Sequence, residues 1–555
     1  MIRMQIHGRS AARGLAIVIF SVLTGCSGGG DSPSIAPSPG GQPQLLAVTY
    51  HNDNARTGQN LNETTLTWAN VNQAHFGKKF SYPLDGIAYA SPLYVANVSI
   101  PGQGVHNLVY VATEHDSIYA FDADGLSPTP LWQVSFIDPA AGVTTVPAAD
   151  TGELHDLTPE IGITGTPVID PKSGTLYVVA KTKEVVGGTT NYVQRLHALD
   201  IATRAEKFGG PVVIQASVPG TGVGGDGSHV LFDSLHHLQR PALLLNKGVV
   251  YIGFGSHGDK GLYHGWVLGY DATTLTQTMA YNTTPNASAG AIWQSGGGLA
   301  ADAAGNIYFV TGNGTFDADS RGVDYGDSVG KISPSGSVLD FFTPHDQAAL
   351  SAGDFDLGSC AALLLPDQSG AHPHLLVTAG KNGTIYLIDR DQMGHFNANN
   401  DNQIVQSLVN IFPPPNPGGN LVGGNYSVPV YFNGLVYFSP LGSTIQAFQL
   451  SNGLLSTAPT SQSAATYAFP GGTLAISANG TTNGILWAVQ RTGPTTPGAL
   501  HAYKATDLGS ELYNSDLAGS RDTLVNATKF NIPLVANGKV YVASVDHLTI
   551  YGLLP

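Results

Sequence analysis

Four side chains between residues 313 and 381 carry the groups best suited to chemistry in this 555-residue chain. Asp354 and Asp356 flank a phenylalanine, and either carboxylate could accept a proton from a substrate. Asn313, within Thr-Gly-Asn-Gly, offers a neutral amide oxygen of the kind that binds hard cations, and Lys381 supplies a positive charge. The simpler alternative is that these residues form turns and a solvated hairpin, since Asn and Asp both favour turns.

The elements that must position these side chains are predicted to be short β-strands. From about residue 86, a segment of small residues containing Pro or Gly recurs, and a Gly or Asn turn and a β-branched or aromatic strand follow it. The two-residue alternation of apolar side chains and the frequent turns indicate strands throughout. The recurring segments are residues 90–93, 165–168, 239–242, 297–299, 359–362, 427–430, 472–474 and 531–534.

This repeat predicts an all-β fold: an eight-bladed β-propeller of four-stranded antiparallel blades. Successive units are roughly 50–75 residues apart, which is the range of propeller blades with loop insertions. Two stacked β-sandwiches are the alternative, but they do not explain the recurrent inner segment. The apolar residues 45–50 could supply the strand that completes the last blade and closes the ring.

The N-terminus is typical of an exported lipoprotein. Residues 1–25 combine three arginines with a short apolar stretch, as a secretory signal peptide does, and the sequence Leu-Thr-Gly-Cys ending at Cys26 resembles a bacterial lipobox. Residues 26–43 are rich in Gly, Ser and Pro and are predicted to be a flexible tether, with the propeller occupying residues 44–555. The alternative is a soluble secreted protein cleaved after a small residue.

Composition excludes several classes of protein. The chain has 24 lysines and arginines against 39 acids, a formal net charge of −15. Without a basic cluster we expect no nucleic-acid partner, and no internal apolar run is long enough for a polytopic membrane protein. The only cysteines are Cys26 and Cys360, which excludes a disulfide scaffold and the C-x-x-C-H motif of c-type haem.

Several motifs resemble the pyrroloquinoline-quinone (PQQ) propeller superfamily and, within it, the quinoprotein alcohol dehydrogenases. Residues 109–123, VYVATEHDSIYAFDA, are similar to the superfamily repeat V-Y-V-G-T-x-D-G-x-L-Y-A-L-D-A. Residues 309–314 (FVTGNG), 343–346 (TPHD) and 381–390 (KNGTIYLIDR) resemble dehydrogenase motifs in the same chain order. The likeness covers nearly the whole mature chain and is strongest from about residue 293 to residue 390.

The resemblance implies a cofactor site. In this site, Lys381 would touch the quinone, and Trp293 would be the floor on which the quinone stacks. The alternative for Lys381 is a solvated lysine of a hairpin, and the alternative for Trp293 is a core tryptophan between blades. Asn313 would bind Ca²⁺, and Asp259 would replace the family's calcium-binding Glu with a side chain one methylene shorter.

For the catalytic base, the resemblance offers both Asp354 and Asp356. Asp354 is favoured, because Phe355 then takes the place of the family's tyrosine. If a quinone is bound, we expect Trp293, Lys381 and at least one of the two aspartates to line one central cavity, with Asp259 the candidate that falls outside it.

The chain also departs from the dehydrogenase pattern. The adjacent cysteines that cover the quinone in that family are missing, and residues 156–162 stand in their place. His264 replaces the arginine that follows the calcium-binding Glu. Since there is no haem motif, electrons would have to pass to an external acceptor.

Two functional hypotheses follow. The primary one is a lipid-anchored binding or scaffold propeller of the cell envelope with a protein partner, on the periplasmic face of the outer membrane or on the cell surface. The alternative is a calcium- and PQQ-dependent dehydrogenase of alcohol-type substrates with a modified site. The missing cysteine pair favours the scaffold, whereas Lys381 together with Asn313 favours the cofactor.

Overall fold

The computed structural model describes residues 46–413, 423–493 and 495–555. The predicted signal peptide and nearly all of the tether, with Cys26, lie outside the described residues. Within the described ranges, no helix is long and apolar enough to span a bilayer.

Eight four-stranded antiparallel sheets are arranged as the blades of a propeller, which confirms the predicted fold. Several blades carry an additional short strand. From the inner strand outward, the strands are Leu93–Ile100, Gly104–Thr113, Ser117–Asp122 and Trp132–Ser135 in blade 1; Val168–Asp170, Thr175–Val186, Thr189–Asp200 and Val212–Val213 in blade 2; Leu244–Asn246, Val249–Ser256, Trp266–Asp271 and Gln277–Asn282 in blade 3; Ala300–Ala301, Ile307–Val310, Val329–Ile332 and Val338–Thr343 in blade 4; Leu363–Leu364, Leu375–Ala379, Ile385–Asp389 and Gln406–Leu408 in blade 5; Val430–Phe432, Leu435–Phe438, Ser443–Ser451 and Ser461–Tyr467 in blade 6; Thr473–Asn479, Thr482–Gln490, Ala499–Lys504 and Asp507–Asn514 in blade 7; and Leu534–Ala536, Lys539–Ala543, His547–Leu553 and Phe76–Pro83 in blade 8.

The core lies between neighbouring blades, because both faces of each sheet pack against another sheet. One cluster joins blades 1 and 2, and another joins blades 8 and 1. In five blades, the tyrosine of the second strand also donates its hydroxyl to a backbone carbonyl of the next blade, over 2.6–3.4 Å. These pairs are Tyr110 with Ile201, Tyr177 with Ala272, Tyr251 with Pro334, Tyr437 with Ala505 and Tyr541 with Ala123.

The ring is closed by an N-terminal strand, but not by the predicted one. Phe76–Pro83 pairs with His547–Leu553 and becomes the outer strand of blade 8. The prediction that residues 45–50 close the ring is wrong, since Leu46–Ala47 pairs instead with the inner strand Leu93–Ile100 of blade 1. Tertiary contacts decide between two segments that are both suited to a strand.

Residues 46–60, here called the channel segment, contact the inner strands of all eight blades. Besides the pairing of Leu46–Ala47 with blade 1, its carbonyls accept hydrogen bonds from blades 2, 4, 5, 6 and 7 over 2.8–2.9 Å. Asn54 and Asn60 donate side-chain hydrogen bonds to Leu245 of blade 3 and Val535 of blade 8. The segment therefore lies on the propeller axis and fills the channel at this level.

Two buried side chains anchor the channel segment. The Arg56 guanidinium donates to the carbonyls of Tyr50, Leu243 and Leu299 at 2.9, 3.3 and 2.9 Å. Tyr50 packs in a buried cluster with Ala242, Ala361, Val428 and Ile532, each of which directly precedes an inner strand. The channel is thus closed beneath any cavity formed by the loops that precede the inner strands.

Cys360 lies in one of these preceding segments, and its thiol is free and fully buried. Its sulfur contacts the carbonyls of Ala361 and Ser427 at 3.3 and 3.4 Å. Burial raises the pKa of the Cys360 thiol to about 12. Cys360 is therefore a buried thiol that is protonated at neutral pH.

Candidate functional site

A cavity of about 260 Å³ opens above the channel segment. Half of its lining residues stand just before an inner strand, and four others lie at or after the end of a second strand, so the blades place both groups at one end of the axis. The lining residues are Asp156, Arg240, Ser256, Gly258, Asp259, Trp293, Asp354, Asp356, Lys381, Tyr426, Phe469 and Phe530.

Lys381 occupies the turn between Leu375–Ala379 and Ile385–Asp389 of blade 5. Its Nζ lies 2.8 Å from Asp354 Oδ1 and 2.5 Å from Asp356 Oδ2, and its side chain is only 11% exposed. Burial opposes the charge on Lys381, but the two carboxylates outweigh it and raise the pKa of the ammonium group. Lys381 therefore carries its positive charge inside the cavity at neutral pH.

The two aspartates stand in different environments. The helix Gln347–Gly353 ends at Asp354, which adopts a left-handed φ of 56° and leaves its side chain 69% exposed. The Asp356 side chain is 7% exposed, and its Oδ1 accepts the backbone N–H of Asn313 at 2.7 Å. A Cβ on Gly312 would lie 2.2 Å from this Oδ1, so the Thr-Gly-Asn-Gly motif needs its first glycine for the approach of Asp356.

Asn313 lies beside the carboxylates, outside the cavity lining. Its Nδ2 donates to Asp354 Oδ1 at 2.8 Å. Its Oδ1 is buried and has no hydrogen-bond partner among the described residues. A buried carbonyl oxygen without a donor is the kind of group that a cation can satisfy.

Asp259 lines the same cavity, so the expectation that it falls outside is wrong. Its Oδ1 accepts hydrogen bonds from the hydroxyls of Tyr263 at 2.6 Å and Ser256 at 3.0 Å. Burial, with the negative charge of Asp356 adding to it, raises the pKa of the Asp259 carboxyl. The structure thus brings a third carboxyl group close enough to Asp356 for the two charges to interact.

Trp293 forms part of an aromatic wall. The Lys381 Nζ lies 5.7 Å from the centre of the Trp293 ring and 5.9 Å from that of Tyr426. Tyr426 contacts Phe469 edge-on, with ring centres 5.4 Å apart, and Phe469 contacts Phe530 at 6.2 Å. The wall is in contact with the cationic groups of the cavity, since the Arg240 guanidinium also lies 4.7 Å from the centre of the Phe530 ring.

Sequence reasoning missed Tyr426, Phe469 and Phe530, although a signal was present. Each lies one to three residues before a recurring inner segment, as Trp293 lies four residues before residues 297–299. The position just ahead of each inner segment is the one that a propeller turns toward the axis. Reading that position across the repeats would have found this wall.

Sequence reasoning also missed a group of charges centred on Asp156. Arg240 Nη1 lies 2.5 Å from Asp156 Oδ2, and Lys529 pairs with Asp156 Oδ1. The two cations offset the burial of Asp156 and hold the pKa of its carboxyl well below the ordinary value. These residues come from three distant parts of the chain, and no local pattern links them.

Among the described residues, no cluster of three or more His, Cys, Asp or Glu side chains has the arrangement of a metal site. The donor chemistry nevertheless suits a hard cation in part. Four carboxyl groups and two cationic side chains line the cavity, and the side-chain amide oxygen Oδ1 of Asn313 beside it is unsatisfied. A cation would balance this excess of acid.

Comparison with known proteins is informative at the level of structure only. No protein-family model and no curated protein sequence matches the chain. A quinohemoprotein alcohol dehydrogenase of Pseudomonas putida HK5 is similar over 92% of this chain and 80% of its own, at 14% identity and a TM-score of 0.57.

Two further solved structures give the same result. A quinohemoprotein alcohol dehydrogenase from Comamonas testosteroni is similar over 93% of this chain and 81% of its own, at 15% identity and a TM-score of 0.57. A europium-containing methanol dehydrogenase is similar over 92% of this chain and 98% of its own, at 14% identity and a TM-score of 0.57. The chain has the fold of these dehydrogenases. The roles of Trp293, Asn313, Lys381 and the aspartates remain predictions.

Proposed function

We propose that this protein is a dehydrogenase of alcohol-type substrates that binds PQQ and a hard cation in the axial cavity. The observation that carries the proposal is the convergence of Trp293, Lys381, Asp354 and Asp356 on one cavity. Its floor is closed by the channel segment, so a ligand would enter and leave from one side. The likeness to quinoprotein dehydrogenases is consistent with it.

The charges that line the cavity determine the conditions under which PQQ could bind there. PQQ carries carboxylates, and the lining already has more carboxyl groups than cations. Binding the quinone alone would therefore add like charge to an acidic cavity. We expect PQQ to bind together with a cation. The Asp356 carboxylate and the side-chain Oδ1 of Asn313 would hold this cation.

The protein's own groups have separable roles in this proposal. When bound, the quinone supplies a two-electron acceptor for the oxidation of an alcohol. Trp293 would offer the quinone a flat face. Lys381 would place its positive charge near the quinone oxygen, on which negative charge would develop during the reaction. Lys381 and Asn313 contact both aspartates, but the Asp354 side chain is 69% exposed at the mouth and can take the proton of the substrate hydroxyl. The Asp356 carboxylate is buried between Lys381 and the Asn313 peptide.

The test is a titration of the purified protein with PQQ in the presence of Ca²⁺, Eu³⁺ or neither, followed by quinone absorbance. We expect saturable binding with a cation and weak binding without one. Lys381→Met should abolish it, and the matched control Lys172→Met, an exposed hairpin lysine, should not. Failure of the wild type to bind PQQ with either cation would refute the proposal.

The second candidate, a binding or scaffold propeller of the cell envelope, is favoured by a different observation. Lys381, Arg240 and Lys529 are each already paired with a carboxylate, so none of these cations needs the carboxylates of a cofactor as partners. Together with the missing cysteine pair, this suits a propeller that no longer binds a quinone. Absence of PQQ binding to the folded wild-type protein in the same titration would favour this function.

We further propose that Cys26 is lipidated and tethers the propeller to the cell envelope. The lipobox-like sequence ending at Cys26 supports this. Cys26→Ser should move the protein from the membrane fraction to the soluble fraction without changing its thermal unfolding. A variant that still sediments with membranes would contradict the anchor.

A further inference from the structure

A second cavity, of about 390 Å³, adjoins the axial cavity and shares Asp156 and Phe469 with it. It lies at the same end of the propeller, between the insertion that carries Asp156 and the loops of blades 7 and 8. Its remaining lining residues are Ile87, Tyr89, His155, Thr158, Arg491, Ala527, Thr528, Lys529 and Val545.

This second cavity is bordered by an excess of positive charge. Lys529 and Arg240 share a single carboxylate, that of Asp156. Arg491 is close enough to Lys529 that its charge, after burial and together with that of Arg240, lowers the pKa of the Lys529 ammonium group. Arg240, Lys529 and Arg491 thus stand near two carboxyl groups, the paired Asp156 and the buried Glu114, in a chain whose net charge is −15.

Arg491 is the cation of this group that no acid neutralises. Its Nη1 donates to the carbonyl of Phe469 at 3.3 Å. Among the described residues, no carboxylate forms an ion pair with it. Burial lowers the pKa of the Arg491 guanidinium, and the phenol of Tyr89, which also lines the cavity, opposes this shift.

We infer that the second cavity binds the carboxylate of a small organic acid, and that the substrate of the axial cavity is therefore a hydroxy acid. Arg491 and Lys529 supply charge-assisted hydrogen bonds to the carboxylate. Asp156 and Phe469 line both cavities, so this anchor adjoins the cavity that holds Asp354 and Lys381. The substrate assignment rests on the proposed dehydrogenase function. The carboxylate site rests only on Arg240, Lys529 and Arg491.

Two sources could supply this carboxylate, and we assign it to the substrate. The axial cavity has its own cation, Lys381, and its own aromatic wall for a planar ring. If the carboxylate belonged to the quinone instead, loss of Arg491 would weaken PQQ and leave small acids unaffected.

The first experiment needs no cofactor. Calorimetry on the full chain would compare butanoate with 1-butanol, which has the same four carbons and no charge. We expect butanoate to bind and 1-butanol not to bind under the same conditions. Arg491→Gln and Lys529→Met should each weaken butanoate roughly tenfold or more, the usual size of a charge-assisted hydrogen bond.

The control variant is Arg321→Gln, an exposed arginine of blade 4, which should bind butanoate like the wild type. Added salt should weaken butanoate binding, because screening acts on the charge. Equal binding of butanoate and 1-butanol, or an Arg491→Gln variant that binds butanoate normally, would overturn the carboxylate site.

The second experiment tests the substrate assignment with the cofactor-loaded protein. It compares kcat/KM for 4-hydroxybutanoate and 1-butanol, and we expect Arg491→Gln to lower the first about tenfold and leave the second unchanged. Absent PQQ binding with intact butanoate binding would refute the proposed function and leave the carboxylate site standing. PQQ binding lost in Arg491→Gln with butanoate binding intact would assign the cavity to the cofactor and overturn the inference.

Discussion

Lys381 contacts Asp356 twice. Its backbone N–H donates to the Asp356 carbonyl at 3.0 Å, and its ammonium group lies 2.5 Å from the Asp356 carboxylate. The first contact fixes the hairpin of blade 5 against the loop that precedes the inner strand of the same blade. The second places a charge pair where that loop meets the cavity, so the fold and the site share one interaction.

Removing the ammonium group should therefore destabilise the protein. In Lys381→Met, the buried Asp356 carboxylate keeps the Asn313 N–H but loses its cation, beside the carboxyl groups of Asp259 and Asp327. Breaking such a buried pair costs about 3–5 kcal/mol. Urea unfolding at neutral pH measures the loss.

A double-mutant cycle separates this pair from general packing. Asp356→Asn removes the charge that Lys381→Met leaves unpaired, so the double variant should be more stable than the sum of the two single losses predicts. Additive losses would show that the pair contributes no coupling energy.

The two aspartates should behave differently once the cofactor is bound. Asp354→Asn removes the exposed carboxylate that we assign as the proton acceptor, and it should lower kcat about a hundredfold or more with PQQ affinity nearly unchanged. Asp356→Asn should instead weaken the binding of the cation. Asp319→Asn, on an exposed turn, is the control, and equal effects of all three variants would refute the assignment.

The fold could be predicted from the sequence further than the site could. The recurring inner segments and the V-Y-V strands identify each blade in the sequence. The tyrosine of the second strand has the same role in several blades: its hydroxyl donates to a backbone carbonyl of the next blade, as Tyr110 donates to Ile201. Trp293 and Lys381 could be placed near one another because each occupies a defined position of the repeat. The strand that closes the ring could not be predicted, because residues 45–50 and 76–83 are both suited to a strand. Only the pairing in the assembled ring distinguishes them.

The charges around Asp156 show the limit of local reasoning. Asp156 comes from an insertion in blade 2, Arg240 precedes blade 3, and Lys529 precedes blade 8. Nothing in the residues near any one of them indicates the other two. They meet only because the closed ring brings the last blade back beside the first.

The channel segment should make a large contribution to stability through Arg56. Arg56→Met keeps most of the side-chain volume but removes the donors to the carbonyls of Tyr50, Leu243 and Leu299. Leaving buried carbonyl groups unpaired should cost about 3 kcal/mol or more. Thermal unfolding measures it against Arg321→Met, an exposed control that should unfold like the wild type.

Glu114 should make stability depend on pH. It is buried, its Oε2 accepts the N–H of Gly162 at 2.8 Å, and its Oε1 has no hydrogen-bond partner among the described residues. Burial raises the pKa of the Glu114 carboxyl from 4.5 to about 7. Between these values the folded protein holds a proton that the unfolded chain has lost, so stability falls as the pH rises through this window.

Glu114→Gln removes that titration and keeps the shape of the side chain. Relative to the wild type, the variant should gain about 1–3 kcal/mol between pH 4.5 and pH 7 and no more above it. Urea unfolding across pH 4.5–8 measures the difference. A difference that stays constant over this range would show that Glu114 does not hold a proton in the folded state.

The central claim is that the axial cavity holds PQQ together with a hard cation, and crystals grown with PQQ and Eu³⁺ test it most directly. We predict an anomalous europium peak beside the Asp356 carboxylate and the side-chain Oδ1 of Asn313. We also predict planar density lying against Trp293 within reach of Lys381. A cavity without planar density, in crystals whose europium sites all lie elsewhere, would contradict the account.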